Sequence, residues 1–219
     1  MINLILKDIK LAQKMNIFIV IYALFIAGMG LSVSNYLAAS LFYILGMNIL
    51  IFVSVIYTNG YDDKYKTEII LNSLPIDRKN IVRGKYIALI IFIIVGCGVI
   101  VLWTNIISLL GIIEGGKSAD IWSIIFVTNI VLLFYSIYYP IYFRMGEGIR
   151  SFNAIIWVLV MTGPGIVSKL MKVLEGTGYL EKIMSMDINT INMYFLPISV
   201  IIYYLSMRVS ERIYMKRKF

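Results

Sequence analysis

The sequence predicts an all-α membrane protein of six transmembrane helices, and three observations carry that expectation. The chain is 60% hydrophobic and only 15% charged, whereas soluble domains run at about 45–50% apolar and about 25% charged. Its apolar residues gather into six runs of near-spanning length, and a hydrocarbon core of roughly 30 Å takes about 20 helical residues to cross. Lysine and arginine fall overwhelmingly into alternate connections between those runs. A mean hydropathy of +0.87 points the same way.

Residues 1–15 come first. Lys7, Lys10 and Lys14 recur at three- and four-residue spacing, with Ile2, Ile5, Ile9 and Ala12 on another side. That pattern predicts a basic amphipathic helix lying in the membrane interface. No small-residue cleavage site follows at the distance a removable signal would need. The six expected spans are 17–33, 37–57, 86–113, 121–143, 152–167 and 191–207, within a single transmembrane domain over 1–219. Sixteen of the twenty Lys and Arg then lie at the N-terminus, in the 59–85 loop, beside Arg144 and Arg150, and in the 208–219 tail. Cytoplasmic loops carry the excess of positive charge, so both termini are expected inside.

The connection 59–85 is the most informative stretch. It is charged throughout, yet carries Ile69, Ile70, Leu71 and Leu74. Helical spacing over Lys64–Ser73 ends at Leu74-Pro75, because proline disfavours a helical residue before it. Asp77 then suits the N-cap of a second helix running into the third span. The result is helix, break, helix on the cytoplasmic side. Its apolar ridge has too little chain around it to build a core, so it either lies back on lipid or inserts into a groove on another protein. After the fifth span, Gly163-Pro164-Gly165 interrupts the chain. The apolar spacing of Ile166, Leu170, Met171 and Leu174 then predicts short outer helices, re-entrant or interfacial, before the sixth span.

Several functions are excluded. The chain has no histidine and one cysteine, Cys97, inside an apolar run. That removes the commonest general base and metal ligand, and any internal disulfide. Gly111–Ser118 matches the phosphate-loop pattern G-x-x-x-x-G-K-[ST], but such a loop follows a strand. The apolar run before it is far longer than an ordinary strand of about 5–6 residues. The twelve acids lie outside the expected spans, whereas proton- or ion-driven transporters carry ionisable groups at mid-membrane. The basic balance is accounted for by topology and by attraction to membrane lipid, and no nucleic-acid platform is seen. No cofactor is expected in this chain.

The layout as a whole, and the segment Ser73-Leu74-Pro75-Ile76-Asp77-Arg78 followed by Ile81-Val82-Arg83-Gly84-Lys85-Tyr86, resemble the membrane subunits of bacterial ABC-2-type transporters. Small permeases of that family often show an "sLPisR…iV.aKy" pattern there. The resemblance covers nearly the whole chain. It implies a non-catalytic permease subunit, paired with a second permease, identical or related, and with two copies of a separate ABC ATPase that holds ATP and Mg²⁺. It makes the 64–74 helix a coupling helix, with Lys66, Glu68, Ile70, Leu71, Leu74, Pro75 and Arg78 as its ATPase-coupling residues. Since the second and fifth spans line the passage in that family, it also points to Asn48, Phe52, Asn153 and Trp157 as pathway residues. Exporters of amphipathic peptides (the phenol-soluble-modulin and antimicrobial-peptide types) are similar in size and layout. Richness in Ile, Lys, Asn and Tyr suggests an AT-rich bacterial genome, and the resemblance implies a multi-pass protein of the bacterial plasma membrane. The alternative is a membrane scaffold or sensor that docks a cytoplasmic partner and transports nothing.

Overall fold

The computed structural model describes residues 1–111, 113, 116–146 and 188–217. The expected fifth span at 152–167, the outer helices after it, Asn153 and Trp157 lie outside the described residues. Among those that are described, the chain is all-helical: α1 (Ile2–Gln13), α2 (Asn16–Leu31), α3 (Tyr36–Lys64), α4 (Thr67–Ser73), α5 (Arg78–Leu109), α6 (Ile121–Met145) and α7 (Ile188–Lys216). Four of these, α3, α5, α6 and α7, are long and apolar enough to cross a membrane. The pair α1 and α2, bent by 65° across a short break, passes the same test together as a fifth.

Two helices run well past the spans expected for them. The helix expected from an Asp77 cap into the third span is α5, which starts at Arg78, eight residues before that span's expected start at Tyr86; the Asp77 carboxylate accepts from the Lys79 amide at 3.0 Å. That cap satisfies an otherwise orphaned donor and lets the helix begin two turns early. The second span was expected to end at Tyr57, but α3 continues to Lys64. Thr58, Asn59 and Asp62 are polar yet buried against neighbouring helices, so the helix has no reason to stop where its apolar run does. With 32 residues, α5 extends for about 48 Å at an α-helical rise, longer than the hydrocarbon core.

Close packing follows from small residues on buried faces. Ala23 and Ala27 of α2 are fully buried, and Gly30 lies so near the Tyr43 ring that a Cβ there would overlap it. On α5, a Cβ added to Gly96 would meet Ile51 at 3.0 Å and Leu50 at 3.2 Å. Without water, helix association in lipid depends on such approach and on interhelical hydrogen bonds.

The core is rich in tyrosine. Tyr43, Tyr86, Tyr135, Tyr138, Tyr139 and Tyr214 are all fully buried, and most hydroxyls find partners, as buried tyrosines usually do. Tyr86 bonds Ser206 and Ser210 of α7, both at 2.8 Å. Tyr43 donates to the Lys117 carbonyl at 3.0 Å. The Tyr135 hydroxyl has no partner among the described residues. Among the described residues, the packing of α6 on α7 is the most extensive. Outward faces are apolar: Ile17, Phe25, Ile94, Leu102, Ile137 and Leu205 are all exposed, and lipid tails suit such a surface where water does not.

Candidate functional site

The segment joining α3 to α5 folds as the short helix α4, entered and left by sharp breaks. Lys66 at its N-cap takes φ 48, the only positive φ at a non-glycine among the described residues. A side chain in that region costs of order 1–2 kcal/mol, so surrounding contacts must hold it. Leu74 is extended before Pro75, as that ring demands, and the Ile76 amide closes the turn onto the Leu74 carbonyl at 2.7 Å.

What holds α4 is the C-terminal end of α7. The Arg217 guanidinium pairs with Glu68 at 2.7 Å and also reaches the Phe143 carbonyl at 3.4 Å. It lies against Gly146, whose φ of 57 ends α6. The Asn72 amide donates to the Tyr214 hydroxyl at 2.9 Å. Arg78, just past the break, donates to the Arg217 carbonyl at 3.2 Å and the Met215 carbonyl at 3.4 Å. Burial pushes the Glu68 carboxyl above its ordinary value, and the neighbouring Arg217 only partly pulls it back. The pair therefore fixes geometry more than it adds stability.

Of the residues assigned to coupling, the structure splits the apolar ones between two faces. Ile70 and Leu74 are exposed, together with Tyr65 and Ile69. Leu71 turns inward instead and packs on the main core, where it lines a small cavity with Leu4, Ile81, Phe143 and Tyr214. It thus belongs to the attached side of α4, not to the outward ridge expected for it. The reason is helical spacing, since Leu71 shares a face with Glu68 and Asn72, which reach toward α7.

The same cavity is also lined by a charge cluster that sequence reasoning missed: Lys7, Asp8, Asp62 and Lys85. Lys85 of α5 is buried and pairs with Asp62 of α3 at 2.5 Å and with Asp8 of α1 at 3.2 Å. It also donates to the Asn59 side-chain oxygen at 3.1 Å. Lys7 bridges the other Asp62 oxygen at 2.6 Å and Asp8 at 3.2 Å. Two cations and two anions thus tie three helices together, with Asp8, Asp62 and Lys85 buried and Lys7 partly open to solvent. A nearby pairing repeats the theme: Glu211 of α7 accepts from Arg83 at 2.6 Å and Arg208 at 3.3 Å. One signal was available in the sequence, because Asp8 falls one turn before Ala12, on the apolar side of an otherwise basic helix.

Of the pathway residues, Asn48 bonds its own helix at the Ile44 carbonyl, 2.8 Å away, and Phe52 meets Phe134 edge-on at 5.9 Å. Both are half-buried one turn apart on α3.

A bundle of long apolar helices, ion-paired at one end and carrying there a short helix with an exposed apolar face, defines a multi-pass α-helical membrane protein. The chain belongs to the ABC-2 family of transporter membrane proteins: the family model described as ABC-2 family transporter protein matches residues 3–215. Membership implies a permease subunit of an ABC transporter, a membrane transport component that is generally non-catalytic and associates with an ABC ATPase. No curated protein and no solved structure matches the chain.

Proposed function

We propose that this chain is the permease subunit of a bacterial ABC exporter, and that α4 is the element on which the ATPase acts. Six spans would hold it in the plasma membrane with both termini inside, the orientation favoured by its lysines and arginines. It would pair with a second permease, identical or related, and with two ATPase subunits holding ATP and Mg²⁺. Similarity in size and layout to small peptide exporters supports an amphipathic or hydrophobic cargo, a peptide above all. Asn48 and Phe52, with Asn153 and Trp157, would line its passage.

One observation carries the reading: α4 is two-sided. Its outer side offers Ile69 and Ile70, with Leu74 just past its end, to the surroundings, while its inner side is fastened through Glu68, Leu71 and Asn72. A helix-in-groove contact uses an apolar face of this kind. Attachment on the opposite side lets a push on α4 move α7 as a rigid body. Lys66 and Pro75 serve as the bends at its ends, and Arg78 ties the second bend to α7.

The test is Ile70→Asp, alone and with Leu74→Asp. Membrane insertion should be unchanged, because both side chains are exposed. The co-purified ATPase and cargo export should both be lost. Export at the wild-type level would rule out α4 as the coupling element. If the ATPase co-purifies but a deletion strain accumulates no peptide, the scaffold reading replaces the exporter.

A further inference from the structure

The bend between α1 and α2 frames a groove against the end of α3 that no part of the coupling argument uses. Its walls include Leu11 of α1 and Lys14 just past that helix, and Tyr61 of α3 and Tyr65 just past that one. The Lys14 ammonium sits 5.1 Å above the Tyr61 ring centre. That ring lies between Tyr57 and Tyr65, at 5.1 and 5.6 Å. Asp62 is the one acid on the groove wall, and its two oxygens are already taken by Lys7 and Lys85. Lys14 has no carboxylate within ion-pair distance among the described residues. The groove therefore presents the Lys14 ammonium, with Lys64 5.5 Å over the Tyr65 ring as a second nearby cation, the Tyr61 and Tyr65 phenols, of which Tyr61 already shares a hydrogen bond with Tyr57, and the apolar side of Leu11.

Its surroundings select the ligand. Ile2 and Leu6 are exposed on α1, and Ile17 and Ile21 on α2 just beyond the bend. A molecule held at Lys14 would have apolar surface beside it along α2. We propose that this groove binds the headgroup of an anionic glycerophospholipid, with its phosphate between Lys14 and the Tyr61 and Tyr65 hydroxyls and its acyl chains along α2. Free phosphate would have only the charge to hold it, in an open groove, whereas the lipid adds apolar burial. An opposite case sits at the other end of α3. Lys117 lies 5.0 Å over Tyr36 in much the same way, but the Tyr36 hydroxyl is already spent on the Asp120 carboxylate, 2.6 Å away. A Lys–Tyr pair beside an acid repels an anion; the pair in the groove does not. The inference needs α1 to lie along the bilayer surface. It does not depend on the export reading.

The experiment uses the full chain in phosphatidylcholine nanodiscs containing a minor fraction of phosphatidylglycerol. Lipids retained on gentle release are counted by native mass spectrometry. The wild type should retain phosphatidylglycerol in preference to phosphatidylcholine. Lys14→Gln should cut that preference about fivefold, the effect of one lysine near a charged headgroup. Tyr61→Leu should lower it too, Lys14→Arg should keep it, and Lys117→Gln should leave it unchanged. Equal retention of the two lipids by the wild type would overturn the site. So would full preference in Lys14→Gln, or an equal loss in Lys117→Gln, which would mark diffuse surface charge. Displacement by millimolar inorganic phosphate would reassign the groove to free phosphate. A loss in Lys14→Arg equal to that in Lys14→Gln would show that the charge is not what binds.

Discussion

The two ends of the bundle solve the same problem with different chemistry. At the end that carries α1, α4 and the tail of α7, helices are joined by ions: Lys7, Asp8, Asp62 and Lys85 in one cluster, Arg83 with Glu211 and Glu68 with Arg217 around it. Further along, α6 and α7 are joined by neutral groups. The Asn129 amide donates to the Asn192 carbonyl at 2.9 Å and to its side-chain oxygen at 2.5 Å. Ser199 donates to Asn129 at 3.0 Å. Buried ions hold firmly only as complete sets, and losing one member strands the rest. Neutral bonds in lipid are weak and forgiving. The charged end is therefore the part expected to move as one body, and the neutral contacts are the ones expected to slide.

Removing a member of the ionic set is the strongest way to break that contrast. Lys85→Met leaves Asp8 and Asp62 buried with Lys7 as their remaining lysine. The expected cost is about 3–5 kcal/mol, seen as a large loss of thermal stability in detergent. Pairing it with Asp62→Leu should recover part of the loss, since the stranded charge goes with it. A Lys85→Met chain as stable as the wild type would mean that water already reaches the cluster.

Arg217→Ala comes next. Charged hydrogen bonds are worth about 1.5–3 kcal/mol each, and partial exposure of this pair places it toward the lower end. The effect should be local: faster tryptic cleavage at Lys64 or Lys66, with the rest of the bundle little changed. Uniform destabilisation would show that α4 and the bundle unfold together and are not separable parts.

How much of this was legible in the sequence depends on the range of the interaction. The all-helical class, the Pro75 break and the Asp77 cap are decided within a few residues, and each follows from a local rule. The ion cluster is not local. Lys85 meets partners 26 and 77 residues away, and nothing in one dimension ties them together. Asp62 and Lys85 read as members of a solvated charge block, when burial had paired them. The same blindness ended the second span at Tyr57, because Thr58 and Asn59 look like surface residues until their neighbours are known. Leu71 was misplaced for a smaller reason: a seven-residue helix has too few turns to reveal which apolar residues face in. Of the site, the exposed Ile70 and Leu74 were within reach of pattern reasoning, and the fastening to α7 was not.

The neutral region should give a smaller response. Asn129→Leu removes its links to Asn192 and Ser199, but Ser199 keeps its bond to the Phe195 carbonyl at 3.0 Å. The expected cost is about 0.6 kcal/mol and at most about 1.7, the range of interhelical hydrogen bonds in lipid. Thermal unfolding of this variant beside Lys85→Met measures the contrast directly. A cost as large as that of Lys85→Met would erase the distinction between the two ends.

The mildest test falls at Asp120, the one carboxylate at the far end among the described residues. Burial alone would raise its pKa, but hydrogen bonds from Tyr36 and from the Ser123 hydroxyl and amide outweigh it and hold the carboxyl below its ordinary 3.8. A group depressed in the folded state adds stability that is fully present above its unfolded pKa. That stability is lost as the pH falls through the folded value. The start of α6 should therefore be as protected at pH 7 as at pH 5 and loosen only below about pH 4, where a capping carboxylate titrates. Hydrogen exchange at the Ser123 amide reads this out, and Asp120→Asn should flatten its pH dependence. The carboxylate is largely solvated, so the change should be slight. A strong acid response at Ser123 would show that this end also relies on charge, and that the two ends differ less than their bonding suggests.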